Sequence, residues 1–174
     1  MLVPEEIPLV SGGKLVRYTP DFVEQYYDWF VKFPELLNLT GTEPFSLQDE
    51  IENQRITSED PFKVVFLIKD LDGMLVGDVN CFITQDNSDE SLDFVIGEIN
   101  VMIAEPSARR KGLASESIKV LMEFVEKKFP EINSFIAKID FENLSSQNLF
   151  KSLGFTEVGR SSYFKEIRFE KKCN

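Results

Sequence analysis

The residues best suited to chemistry form one short stretch, Arg109-Arg110-Lys111-Gly112-Leu113-Ala114. Three cations precede a glycine. From Ala114 onward apolar residues recur at Ile118, Leu121, Met122, Val125 and Phe129, one face of an α-helix. Gly112 stands where a side chain would block close approach to the backbone. Free amides at a helix start, aided by the helix dipole and nearby cations, make a site for an anion such as a pyrophosphate. Other chemistries are excluded by what the chain lacks. Its 174 residues include no histidine, so the usual near-neutral proton carrier is missing. Cys81 and Cys173 lie far apart and match no metal or redox spacing, and no metal is expected.

The elements around the loop must position it. Leu92 to Ile103 reads as a buried strand, with Ile99, Val101 and Ile103 on one face and Glu98, Asn100 and Met102 on the other. Pro106 stops it. The helix over Gly112–Phe129 is closed by Pro130, and Ser134 to Asp140 forms a short strand. Asn143 with Ser145 or Ser146 then caps a short helix whose buried face is Leu149, Phe150 and Leu153, and Gly154 suits its C-terminal end.

Two motifs in this order carry a family resemblance. Arg109-x-x-Gly112-x-Ala114, set between a strand and a helix, resembles the acyl-coenzyme A loop (Q/R-x-x-G-x-G/A) of the GNAT N-acetyltransferases. Asn143-x-x-Ser146-x-x-Leu149-Phe150-x-x-Leu153-Gly154-Phe155 resembles the second block of that superfamily. The wording at 76–80, 97–99 and 101–107 is most similar to its N-acetyltransferase 9-like branch. The resemblance implies a GNAT-like fold in which two neighbouring strands, ending near Ile103 and beginning near Phe135, splay to admit acetyl-coenzyme A. Backbone groups of Val101, Met102 and Ile103 would pair with the pantetheine arm as an added strand does. Arg109, Arg110, Lys111, Gly112, Leu113, Ala114 and Ser115 would surround the pyrophosphate, with Asn143, Ser146 and Phe150 along the thiol side.

The implied activity is acetyl transfer to a primary amine by direct attack in a ternary complex. With no Cys or Ser nucleophile set beside a histidine, a covalent acyl-enzyme is disfavoured. The resemblance makes Glu98, at the start of the strand and eleven residues before Arg109, the candidate general base. An edge glutamate bonded to a neighbouring strand fits Glu98 equally. The Met102 amide is the expected oxyanion donor. The family's usual tyrosine acid is replaced by Phe150, which leaves the thiolate to depart unassisted or with help from water, Tyr163 or a serine. The branch favours a protein acceptor, an N-terminal α-amine or a lysine. A coenzyme A-binding module with little or no catalysis, docking a basic partner, is the alternative.

The remaining chain reads as one domain over residues 1–174, with an expected mixed, mostly antiparallel α/β sheet of six to seven strands and helices on both faces. An extended segment leads to a first strand at Lys14 to Tyr18. Thr19-Pro20 opens a helix with Phe22, Val23, Tyr26, Tyr27 and Phe30 on its apolar face, and Trp29 packs in the core or lines an acceptor groove. Residues 33–45 are expected to be a loop. By the resemblance, Thr40, Thr42, Glu43 and Phe45 there are candidates for acceptor contact, though an ordinary surface loop fits them equally. Ser46-x-x-Asp49 reads as a capping box for a helix to about Ile56. Lys63–Lys69 is a central strand, Asp72-Gly73 a hairpin turn, Met74 to Thr84 its partner with a bulge or close approach at Gly77, and residues 85–91 an acidic, mobile loop. Glu157 to Glu170 supplies the last strands, with Gly159 separating or bulging them.

Thirty acidic residues against nineteen basic argue against nucleic-acid binding and would draw a basic acceptor. No apolar run is long enough for a membrane span, and Leu2 to Val10, with Glu5, Glu6 and two prolines, is unlike a targeting segment. A cytoplasmic location, with the nucleus possible, follows as the expectation. Oligomeric state is left open.

Overall fold

The computed structural model describes residues 3–86 and 94–173. Among them one sheet runs in the order β1-β2-β3-β4-β5-β6-β8-β7. The strands are β1 (Glu6–Pro8), β2 (Lys14–Arg17), β3 (Lys63–Lys69), β4 (Leu75–Asp86), β5 (Phe94–Ile103), β6 (Ile132–Asp140), β7 (Thr156–Ser161) and β8 (Glu166–Lys172). Every neighbouring pair is antiparallel except β5 and β6. That parallel step needs a crossover, which α4 (Leu113–Lys128) supplies. The other helices are α1 (Val23–Lys32), α2 (Glu35–Thr40), α3 (Leu47–Glu59) and α5 (Leu144–Ser152).

Strand alternation sends apolar side chains to both faces, and each face has its own core. On one, Leu15, Val64, Phe66, Val79 and Ile99 pack with Ile118, Leu121 and Val125 of α4. On the other, Leu67, Leu75 and Met102 pack with Trp29 and Phe30 of α1 and Leu36 of α2. The β3–β4 turn is held by Asp70, whose carboxylate accepts from the amides of Asp72 (3.1 Å) and Met74 (2.9 Å). The capping box forms: the Asp49 amide donates to Ser46 Oγ (3.2 Å) and the Ser46 amide to Asp49 Oδ2 (2.8 Å).

Four expectations need correction. The strand count is eight, because Glu6–Pro8 forms a short edge strand on β2 where Pro8 costs no interior pairing. Residues 33–45 contain the helix α2, with Pro34 at its start and the left-handed Gly41 (φ 63°) at its end. Proline and glycine, read as loop signals, are its two caps. Thr19 makes no side-chain cap; a 3₁₀ turn at Pro20–Phe22 leads into α1 instead. Gln85 and Asp86 continue β4, while residues 87–91 of the expected acidic loop, and Leu92 with which β5 was expected to begin, lie outside the described residues.

One break in this sheet matters for function. β5 pairs with β6 from Val95↔Ile132 to Glu98↔Ile136, and there the pairing stops. Beyond that point Ile99–Ile103 stays on β4 and Ala137–Asp140 stays on β8. The two strands diverge and leave a wedge-shaped gap in the middle of the sheet.

Candidate active site

At the gap lies a groove of about 740 Å³, walled by β5, the loop into α4, α5, and Leu36, Leu39 and Thr40 of α2. Its floor at one end is the start of α4. Arg110 (φ 63°) and Gly112 (φ 81°) both take left-handed conformations there. For Gly112 that is unstrained, and open space surrounds the position a Cβ would take. Among the described residues, the amides of 110–115 donate to no backbone acceptor. Such a nest of free amides ahead of a sixteen-residue helix suits an anion.

The cations of the loop divide in role. Arg109 turns back, donating from Nε to Ile103 O (2.9 Å) and from Nη2 to Ala104 O (3.0 Å). It fastens the end of β5 to the loop. Arg110 lines the groove, while Lys111 is exposed and lies outside its wall.

Through the gap the groove meets a second cavity of about 380 Å³ on the side of α1 and α2. Thr40, Val101, Met102, Asn143 and Ser146 border both spaces. Asn143 accepts from the Ser146 amide (3.1 Å), which caps α5 and fixes both residues at the junction. Phe150 is buried, edge-on to Phe155 at 5.0 Å between ring centres, and faces the cavity with no hydroxyl to offer. Tyr163 is 88% exposed in the β7–β8 turn and lies outside the cavity wall, where its neighbour Phe164 stands instead.

The acceptor-side expectations also divide. Thr40 and Thr42 line the cavity, with their hydroxyls 2.8 Å apart. Glu43 and Phe45 do not; Phe45 packs edge-on against Phe30 and Tyr27. Tyr26 and Phe30 form part of the cavity wall, whereas Trp29 is a core residue whose Nε1 donates to Glu105 (3.2 Å).

Backbone register corrects one role. The Ala104 amide donates to Val76 O (2.9 Å), and amides alternate in direction along a strand. The Met102 amide therefore also faces β4, opposite Asp78. The amides turned toward the gap belong to Val101 and Ile103.

Carboxylates at the cavity have unequal access. Glu98 Oε2 is ion-paired with Lys138 Nζ of β6 at 2.9 Å, and Glu98 does not line the cavity, although Lys138 does. Asp78, not anticipated from the sequence, does line it, at 4% exposure. Asn80 donates from Nδ2 to Asp78 Oδ2 (3.0 Å), and Asn100 donates to Asn80 Oδ1 (3.2 Å). Burial pushes the Asp78 carboxyl up to about 7; the Asn80 hydrogen bond opposes this and the negative charge of Glu50 adds to it. Glu50 is itself buried and accepts from Tyr18 Oη (2.7 Å), and burial raises its pKa above the ordinary range. The sequence did hold a signal for Asp78. Asp78 and Asn80 are two apart in a stretch of the strand that is otherwise apolar from Leu75 to Ile83, so one face there carries a carboxyl and an amide.

A sequence profile described as Acetyltransferase (GNAT) domain matches residues 14–156. The chain belongs to the GNAT acetyltransferase family. It is 39% identical over 166 residues to an N-acetyltransferase 9-like protein of Caenorhabditis elegans, covering 90% of this chain and 81% of that protein. It is likewise 39% identical over 164 residues to the alpha/beta-tubulin-N-acetyltransferase 9 of Mus musculus, covering 88% of this chain and 65% of that one. The fold matches the apo crystal structure of RimL, an alpha-N-protein acetyltransferase, with a TM-score of 0.81 at 17% identity over 99% of this chain and 100% of that chain. It also matches the acetyltransferase MccE, solved with acetyl-CoA and AMP, with a TM-score of 0.76 at 16% identity over 99% and 98% of the two chains.

In this N-acetyltransferase the fold brings most of the sequence-predicted residues to one place. Residues 101–103, 109, 110, 112–115, 143 and 146 border the groove, and Phe150 borders the cavity. Lys111 and Glu98 stand outside both. The groove offers what an elongated phosphorylated thioester needs: free amides at one end and unpaired strand edge along its length.

Proposed function

We propose that the enzyme transfers the acetyl group of acetyl-coenzyme A to a primary amine of a protein, an N-terminal α-amine or a lysine, by direct attack with both reactants bound. The observation that carries this reading is the end of β5–β6 pairing at Glu98↔Ile136, which joins groove and cavity beside Met102. The donor lies in the groove. Amides of Gly112 to Ser115, with Arg110, hold its pyrophosphate, and the gap-facing backbone of Val101 and Ile103 takes the pantetheine arm as an added strand. Arg109 acts through the backbone it fastens. Asn143 and Ser146 flank the thioester, and Phe150 packs beside it. An amide of Val101 or Ile103 supports the carbonyl oxygen as it gains charge.

The acceptor enters the cavity from the α1–α2 side. Asp78, Asp140 and Glu166 outnumber Lys138 in its wall, which favours an amine, and the net charge of −11 draws basic protein surfaces. The mouse and human relatives named alpha/beta-tubulin-N-acetyltransferase 9, 39% and 36% identical, support a protein acceptor. Glu98 serves this site through Lys138, which it holds at the closed end of the gap. We read residues 1–174 as one acetyltransferase domain. Its two cysteines are unpaired, which suits a reducing compartment such as the cytosol or nucleus.

The test is coenzyme A thiol release with three peptide sets: free α-amine without lysine, blocked α-amine with lysine, and both blocked. Release with either amine-bearing set, and acetylated product by mass spectrometry, is expected. Release with neither, by folded protein that binds acetyl-coenzyme A, overturns the reading.

A further inference from the structure

Asp78, counted so far only among the acidic residues of the cavity wall, has no chemical step assigned to it in the scheme above. Asp78 sits directly opposite Met102 across β4 and β5, on the same face of the sheet. That places it where the groove and the cavity join, the point at which amine and thioester must meet. Asn80 holds one of its oxygens, and Asn100 in turn holds Asn80, so the carboxyl is fixed by a short polar ladder across the two strands. The interior of a central strand is an expensive place for a carboxylate, and nothing cationic is bonded to it among the described contacts.

We propose that Asp78 is the catalytic base that takes the proton from the acceptor amine, with Asn80 as its positioning residue. This rests on the acetyl-transfer reading and adds the residue that starts it. The acceptor arrives as an ammonium beside ionised Asp78 and gives up one proton to the carboxylate. The freed nitrogen lone pair forms the C–N bond to the acetyl carbon. The C–S bond breaks with its electron pair on sulfur, and the second amine proton passes to that sulfur, so the thiol leaves. Protonated Asp78 then returns its proton to solvent through the open cavity. Glu98 is less suited, since Lys138 stands between it and the cavity.

The groups facing Asp78 define its titration. Glu50 of α3 and the phenol Tyr18 lie near it outside the cavity wall, and Tyr26, Lys138, Asp140 and Glu166 share the cavity with it. None is a histidine, so an ionisation of the enzyme near neutrality points to Asp78 or Glu50, the two carboxyls that burial raises. A free peptide α-amine titrates at about 7.7–8.0 and does so equally with every variant.

The experiment is kcat/KM against pH for the wild type, Asp78→Asn, Asn80→Ala and Glu98→Gln, using an amine-bearing peptide, with acetyl-coenzyme A affinity measured on each. The wild type should show a limb rising through about pH 7. Asp78→Asn should lose about 100-fold or more in kcat, keep its affinity for acetyl-coenzyme A, and lose that limb. Asn80→Ala should move the limb to higher pH, because a bond that favours the ionised form is gone; it serves as the test should Asp78→Asn not fold. Glu98→Gln should keep the limb, whatever its rate. An unaltered limb in Asp78→Asn or Asn80→Ala, or its loss in Glu98→Gln, overturns this assignment alone. A wild type that turns over no amine overturns the acetyl-transfer reading, and this assignment with it.

Discussion

Asp78→Asn should stabilise the protein, and by an amount that grows with pH. Burial pushes the carboxyl from its ordinary 3.8 up to about 7. At 1.36 kcal/mol for each tenfold change in ionisation constant, ionising Asp78 costs the folded state about 4 kcal/mol more than the unfolded chain. The sign follows from proton counting. Between about pH 4 and pH 7 the folded protein keeps this proton while the unfolded chain has lost it, so stability falls as pH rises through that window. Below it neither state is ionised at this site and the cost vanishes; above it the full cost is present. Asparagine matches the neutral carboxyl in shape and does not titrate. The stability of Asp78→Asn relative to wild type should therefore rise by about 2 kcal/mol from about pH 5.5 to about pH 8.5, roughly half of the total having appeared already at the lower value. Urea unfolding at both pH values measures this, and the double difference removes any constant change in packing. Glu50 titrates in both proteins and largely cancels, and the two phenols, which burial raises above their ordinary range, stay protonated in both. A difference that is flat with pH would show that Asp78 is not strained in its ionised form, and would refute the reasoning. The same carboxyl is then a stability cost retained for function.

The two loop arginines should separate cleanly. Arg109→Gln strips two carbonyls of charged hydrogen bonds and should lower stability by about 1.5–3 kcal/mol by denaturant midpoint, whereas Arg110→Ala should leave stability near wild type and weaken acetyl-coenzyme A binding in a titration. Equal stability losses in both would contradict the division of roles. At Gly77 an added Cβ would run into the Met102 carbonyl oxygen. Gly77→Ala should force β4 from β5 beside the junction, costing about 1–3 kcal/mol and lowering kcat as well; wild-type values of both would show the approach is looser than described.

Parts of this fold were legible because local chemistry settles them. Lys63–Lys69 is apolar on both faces and is the central strand β3; Ser46 and Asp49 cap α3; and the glycine and cations at 109–114 stand where the helix α4 begins. The groove residues followed from two motifs whose order constrains the space between them. What stayed hidden depends on partners distant in sequence. The Asp78–Asn80 pair marks a polar spot on a buried strand, but its place at the junction shows only once Met102, Glu50 and the cavity are set around it. Glu98 looks available until Lys138, forty positions later, reaches it. Arg109 looks like a phosphate ligand because its true acceptors are backbone carbonyls, which carry no sequence signature. The helix α2, six residues long, is too short to display a helical period between Pro34 and Gly41.

The central claim is that the gap between β5 and β6, floored by the start of α4, holds acetyl-coenzyme A. Calorimetric titration of the protein with acetyl-coenzyme A, beside Gly112→Glu, tests it directly. One-to-one binding by the wild type and its loss in the variant are expected, because the added carboxylate occupies the open space at Gly112 and repels the pyrophosphate at the free amides. Binding that survives unchanged in folded Gly112→Glu, or a folded wild type that binds none, would contradict it.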